Sequence, residues 1–265
     1  MSNKINKNRL RSARNESVSE IRAQAVQTLE RNGTRLNIIL AFFAVASMYI
    51  ALYAIADLII YLFYYDSDMY AVIDFALLLL PALILAPVFA GFRYMLLNTV
   101  RYGRTDLRDL FIMYSSSYYH HRGMCSSLPM VIRMYVSVML IFSAFYIGEG
   151  SAVPRALIFI IGLALLPLWL YLTRAWAVNA YLQLPDVVRG GSIAHARTAA
   201  KKKYYAHVLM GGTMNSYSGK LLLSAITLQI YGIAAAYPEI LMSRAFCADR
   251  TINLVNNERK GQEND

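Results

Sequence analysis

LNIILAFFAVASMYIALYAIA, residues 36–56, decides the fold. The stretch holds no charged side chain, and only Asn37, Ser47 and two tyrosines offer polar atoms. About 20 such residues wound as a helix cross the hydrocarbon core of a bilayer, where backbone polar groups must be satisfied within the segment. The apolar run continues toward Tyr65, and Asp66 and Asp68 then form an acidic turn. Ala44, Ser47, Ala51 and Ala54 make a small-residue stripe, which lets another helix approach closely. Asp57 lies about 30 Å along a helix that begins at Leu36. That depth reads as a carboxylate at the far interface, with an intramembrane proton site as the alternative.

Four further apolar runs lie downstream, over residues 72–97, 128–147, 156–181 and 217–236. The 265-residue chain is 57% hydrophobic. Soluble domains reach about 45–50% even when Gly is counted. Here the excess sits in runs of membrane-spanning length. The expected fold is all-α: a polytopic helical membrane protein of about five transmembrane helices with two basic amphipathic cytoplasmic elbows. Its parts are a basic tail with a short amphipathic helix (1–35), a helical transmembrane domain (36–248) and a polar C-terminal tail (249–265). Pro81 and Pro87 should kink the second span, Pro167 the fourth, and Pro238 should break or bend the chain after the fifth. The first 35 residues are polar and basic, and the first apolar run is too long for the core of a cleaved signal, so it reads as an uncleaved anchor.

Charge orients the chain. Residues 1–35 hold eight Lys and Arg against three acids, 93–133 six against two, and 174–220 seven against one. The intervening loops are nearly free of bases: 64–74 has three Asp and no base, and 147–155 sets Glu149 against Arg155. Lys and Arg accumulate on the cytoplasmic side, so the N-terminus is cytoplasmic. The net charge of +10 then reflects membrane topology rather than nucleic-acid binding, for which no motif is present. Two spans followed by a basic elbow, twice over, also read as a weak internal repeat of the kind some transporters carry.

Three segments look amphipathic. Val18, Ile21, Ala25 and Leu29 share one helical face before Gly33 stops the helix. That helix reads as a solvated juxtamembrane element or one lying on anionic headgroups. Leu107, Leu110, Phe111, Tyr114 and Tyr118 share a face, which predicts a helix over 105–119 lying flat at the cytoplasmic surface. Residues 184–220 form the second elbow. The candidates for holding anionic lipid headgroups are Arg101, Arg104 and Arg108 in the first elbow and Lys201, Lys202 and Lys203 in the second. Residues 239–255 read as a surface helix or a short continuation through the membrane.

Nothing in the chain has the pattern of a catalytic, metal or cofactor site. HExxH, GxSxG and paired carboxylates at cytoplasmic depth are absent, and the glycine pairs at 190–191 and 211–212 lack a phosphate-loop pattern. His120 and His121 are adjacent, so a helix points them to different sides. With His195 and His207 they fall in cytoplasmic elbows. Cys125 and Cys247 have no CxxC partner, which argues against a disulfide framework.

Several short motifs resemble a family of uncharacterised bacterial integral membrane proteins over about residues 18–250. They are Glu20-Ile21-Arg22 with Ala25, Leu29 and Asn32-Gly33; Gly91 with Tyr94, Arg101 and Asp109-Leu110-Phe111; and Met210-Gly211, the run from Leu221, and Pro238. The chain departs from the pattern at Glu239, where an aromatic residue is expected, and in lacking a Trp in the last span. The resemblance implies a bacterial cytoplasmic membrane and transfers no catalytic residue. The function expected is non-enzymatic: organising partner proteins, further copies of itself or anionic membrane lipids. A small transporter or exporter component is the alternative, weakened by the scarcity of ionisable residues within the spans.

Overall fold

The computed structural model describes residues 17–31, 33–64, 73, 77, 79–146, 152–172, 174–187 and 203–262. Among them every regular element is helical and no strand occurs. The helices are α1 (residues 17–30), α2 (Thr34–Tyr64), α3 (Leu79–Ile84), α4 (Ala86–Tyr102), α5 (Ser117–Tyr146), α6 (Ala152–Leu172), α7 (Arg174–Leu182), α8 (Lys203–Ser216), α9 (Ser218–Ile226) and α10 (Tyr237–Gln262). A 3-10 helix spans Leu107–Tyr114 and a π-helical turn spans Gly232–Ala236. The acids Asp66, Asp68, Asp74 and Glu149 of the two base-poor loops, and most of the second elbow, lie outside the described residues.

Among the described residues one helix, Thr34–Phe63, is long and apolar enough to cross a membrane; a second candidate is α5 if its two limbs, bent by 47°, count as one span. Only 17% of the most apolar window of α2 is buried within the protein, which separates it from the core helix of a soluble domain. Its first three turns dock through Ile38, Ala41 and Val45, spaced to share one face. Beyond them Ile50, Ile55, Leu58, Leu62 and Phe63 are exposed. The other exposed apolar side chains include Ile132 and Val136 of α5, Leu157 and Ile161 of α6, and Leu222 and Ile226 of α9. α5 and α6 pack along one another, with Gly162 set so close that a Cβ there would reach within 2.7 Å of Ile141 Cγ1.

The second apolar run, expected as one kinked span, is broken at Leu85 between α3 and α4. Pro87 sits in the first turn of α4, where its missing N–H costs nothing. The Tyr114 hydroxyl donates to Ile84 O (2.6 Å) at the break. Gly103, at φ +69°, caps α4 and donates to Thr99 O (2.9 Å).

The other half of the molecule is a packed core built from α1, α4, α7, α8 and α10. Here the structure corrects five expectations. The face of α1 is as expected, but Ile21, Ala25 and Leu29 are buried in protein rather than resting on headgroups or facing solvent. Arg250 of α10 pairs with Glu20 (3.0 Å), and Arg22 lies 4.9 Å over the Tyr217 ring. Residues 107–114 form a 3-10 helix rather than an α-helix. The buried pair is therefore Leu110 and Met113, three apart, while Leu107, Phe111, Tyr114 and Tyr118 are exposed.

The fifth apolar run is not one helix. α9 ends at Ile226, Leu228 and Gln229 take left-handed φ of 48° and 72°, and the chain turns back toward α10. Gln229 anchors the reversal by donating to Leu163 O (2.7 Å) and accepting from the Tyr237 hydroxyl. Finally, the expected polar tail from 249 continues α10 to Gln262. Ile240, Met242, Ala245, Cys247, Ala248 and Ile252 of that helix are buried against the core. Pro238 starts α10 instead of breaking it.

Candidate functional site

The first elbow forms a shelf. Asp106 caps the 3-10 helix by accepting from Arg108 N (2.9 Å), and Asn98 of α4 donates to Asp109 (2.8 Å). These bonds fix the segment against α4, and Thr105 Oγ1 reaches Thr34 Oγ1 (3.4 Å) at the start of α2. The shelf therefore lies at the base of the long apolar helix. Arg104 and Arg108 are exposed on it, together with Tyr102, Leu107, Phe111 and Tyr114. Cations beside aromatic and apolar side chains have the chemistry of the bilayer interface.

Arg101 does not belong to this group. Its Nε donates to Asp249 Oδ1 at 2.7 Å, so its charge is already paired inside the fold, between α4 and α10. Lys201 and Lys202 lie outside the described residues, as do Arg189, His195 and Arg197; Lys203 opens α8, and its side chain is also outside them. Asp57 is half-buried on α2 with interactions of its own. His120 lies against the Tyr114 ring, and His121 Nε2 is 3.7 Å from Cys125 Sγ. No group of three or more potential metal ligands occurs among the described residues.

A second polar centre, in the packed half, escaped the sequence reading. Arg93 of α4 reaches α5, donating through Nη1 to Ser126 O (3.2 Å), Ser126 Oγ (3.1 Å) and Ser127 Oγ (2.9 Å). Ser126 Oγ in turn donates to Ala180 O of α7 (2.7 Å). One turn earlier on α5, Arg122 Nη2 donates to Leu184 O (3.3 Å), just past α7. Arg244 of α10 is buried nearby, electrostatically coupled to Arg93 and Tyr181, and burial lowers its pKa. Tyr119 donates to Asp186, which sits at φ 57°, and that bond, with burial, pushes the phenol up to about 12. The arginines were hidden because their partners are 33 or more positions away and include main-chain carbonyls, which leave no residue-type signature.

Glu239, the departure from the family-like pattern, has a structural role. It is buried, accepts from Lys220 and lies 4.0 Å from Arg35. It thus ties α9 and the start of α2 to α10. Tyr217 and Ser243 share a buried hydrogen bond of 2.9 Å nearby. Comparisons with protein-family models, curated proteins and solved structures return no match.

Proposed function

We propose that this chain is a non-enzymatic, multi-pass protein of a bacterial cytoplasmic membrane that holds anionic lipid headgroups and organises lipids or partner proteins there. The observation that carries the reading is the exposed shelf of Arg104, Arg108, Tyr102, Phe111 and Tyr114 at the base of α2. An apolar helix of bilayer length ends where cations and aromatic rings begin, which is the distribution that an interface between hydrocarbon and headgroups selects. Exposed apolar side chains on α2, α5, α6 and α9 suit lipid better than water. The resemblance to bacterial membrane proteins and the basic N-terminal side belong to the same proposal.

Packing supports an even number of crossings within this proposal. α1 follows the basic N-terminal segment, and α10 is bonded to α1 through Arg250 with Glu20 and Gln24. Both ends therefore belong on one side, which favours an even number of crossings. The runs at 36–65, 72–97, 128–147 and 156–181 cross, and the fifth, turned back at Leu228–Gln229, enters and returns. The exposed side chains of Leu228 and Ile230 at that reversal suit a re-entrant tip in lipid.

The test is lipid retention in nanodiscs of mixed phosphatidylcholine and phosphatidylglycerol, read by native mass spectrometry. The wild type should keep phosphatidylglycerol preferentially, and R104A/R108A should lose several-fold of that excess. Equal retention by both proteins sinks the role assigned to the shelf.

A further inference from the structure

Three arginines lie inside the packed half: Arg93, Arg122 and Arg244 are 9%, 3% and 5% exposed. Among the described residues none of them pairs with a carboxylate. Carboxylates of this half are engaged elsewhere: Glu239 with Lys220, Asp249 with Arg101, Asp186 with Tyr119 and Glu20 with Arg250. Taking a guanidinium out of water costs several kcal/mol unless an opposite charge and a full set of hydrogen bonds compensate it. Arg93 meets part of that cost through its serines and Met130 Sδ (2.9 Å). Arg122 does not. Its Nη2 has one long bond to Leu184 O, while Nε and Nη1 are buried without a partner among the described residues.

Arg93 and Arg122 also lie on one line. Arg93 bonds Ser126, Ser126 is one helical turn after Arg122 on α5, and Ser126 and Arg122 bond carbonyls four residues apart, of Ala180 and Leu184. The α5–α7 seam thus carries two guanidinium groups in succession, with the charge of Arg244 coupled to the first. A carbonyl satisfies an N–H but does not neutralise a cation. A buried donor left open beside concentrated positive charge is what a bound anion would complete.

We propose that Arg122, with Arg93 beside it on the α5–α7 seam, anchors a binding site for a phosphate oxyanion, whether free or at the head of a phospholipid. Guanidinium matches phosphate because its planar array of donors reaches two oxygens at once and its charge persists at any working pH. The site is distinct from the exposed shelf and does not rest on the shelf's lipid preference.

The experiment uses the full chain in a neutral detergent. Thermal unfolding is followed with inorganic phosphate, with dihexanoyl phosphatidylglycerol, and with chloride at matched ionic strength. The wild type should gain a few degrees over chloride, and R122Q should lose that gain. Stabilisation by phosphate alone assigns a free ion, by the lipid alone a headgroup, and by both a site open to either. R104A/R108A should keep the full gain, so a failure of the shelf is read separately. R122K keeps the charge without the planar donor array; it should fold and retain less than half the gain. Native mass spectrometry of the wild type gives an independent reading, a phosphate adduct that survives where chloride is lost. No gain in the wild type over chloride overturns the proposal. So does an undiminished gain in R122Q or, where R122Q fails to fold, in R122K.

Discussion

Gly91 is the point where α4 crosses the backbone of the 3-10 helix. A Cβ there would fall well inside contact distance of Leu110 O and 2.7 Å from Asp109 O. Backbone carbonyls cannot swing aside as a side-chain end can, so G91A should cost about 1–3 kcal/mol or more and lower the unfolding temperature. G211A is the matched control, since among the described residues a Cβ on α8 at that position would meet nothing within 4 Å beyond its own helix. Replacing a helical Gly there should be neutral or should stabilise by about 0.5–1 kcal/mol. Equal losses in the two variants would remove the close approach as the cause. Cys247 gives a second residue-scale prediction. Burial pushes its thiol up to about 11, and Thr213 Oγ1 lies 3.5 Å from the sulfur. The protonated form is the one the fold favours. Its contribution to stability is therefore complete below the ordinary thiol pKa of 9.0 and is lost as pH rises through about 11. At neutral pH a maleimide should modify the partly exposed Cys125 in the folded protein, and Cys247 only after denaturation.

At the scale of elements, α1 shows what periodicity could and could not tell. The spacing of Ile21, Ala25 and Leu29 identifies the apolar face correctly, because a helix repeats every 3.6 residues whatever covers it. It carries no information about the cover, which is protein. The first elbow was legible as an amphipathic segment with Arg104 and Arg108 on its surface. Its buried pair was not, because a 3-10 helix brings residues three apart into line and so exchanges Phe111 for Met113. Helix α10 was the least legible element. Its buried face alternates with Asp249 and Arg250, charges that look like a solvated tail until their partners on α4 and α1 are seen. A truncation separates the two views. Ending the chain at Ala248 removes Asp249, Arg250 and buried Ile252, and should lower the unfolding temperature sharply by cutting α10 from α1 and α4. Ending it at Gln262 should leave the unfolding temperature unchanged. Equal melting of the two truncated proteins would mean that residues 249–262 contribute nothing to the core.

For the whole molecule, one relation connects the charge pattern to the packing: the basic N-terminal side and the C-terminal helix meet. In the proposed topology the positive-inside bias puts residues 1–35 in the cytoplasm. α1 buries Ile21, Ala25 and Leu29 in the same continuous core as α10, with Glu20, Arg22 and Gln24 closing the edge against Arg250 and Tyr217. A bilayer between the two helices would separate these groups by about 30 Å. In the same proposal the reversal at Leu228–Gln229, pinned by Gln229 to Leu163 O and to Tyr237, returns the chain to its starting side. Single cysteines test this directly. S12C and E263C, each in a chain with Cys125 and Cys247 replaced by Ala, should both react with a membrane-impermeant maleimide in inside-out vesicles. Both should be protected in sealed right-side-out cells. Labelling of the two positions from opposite faces would make the fifth run a full crossing and would dissolve the contact between α1 and α10.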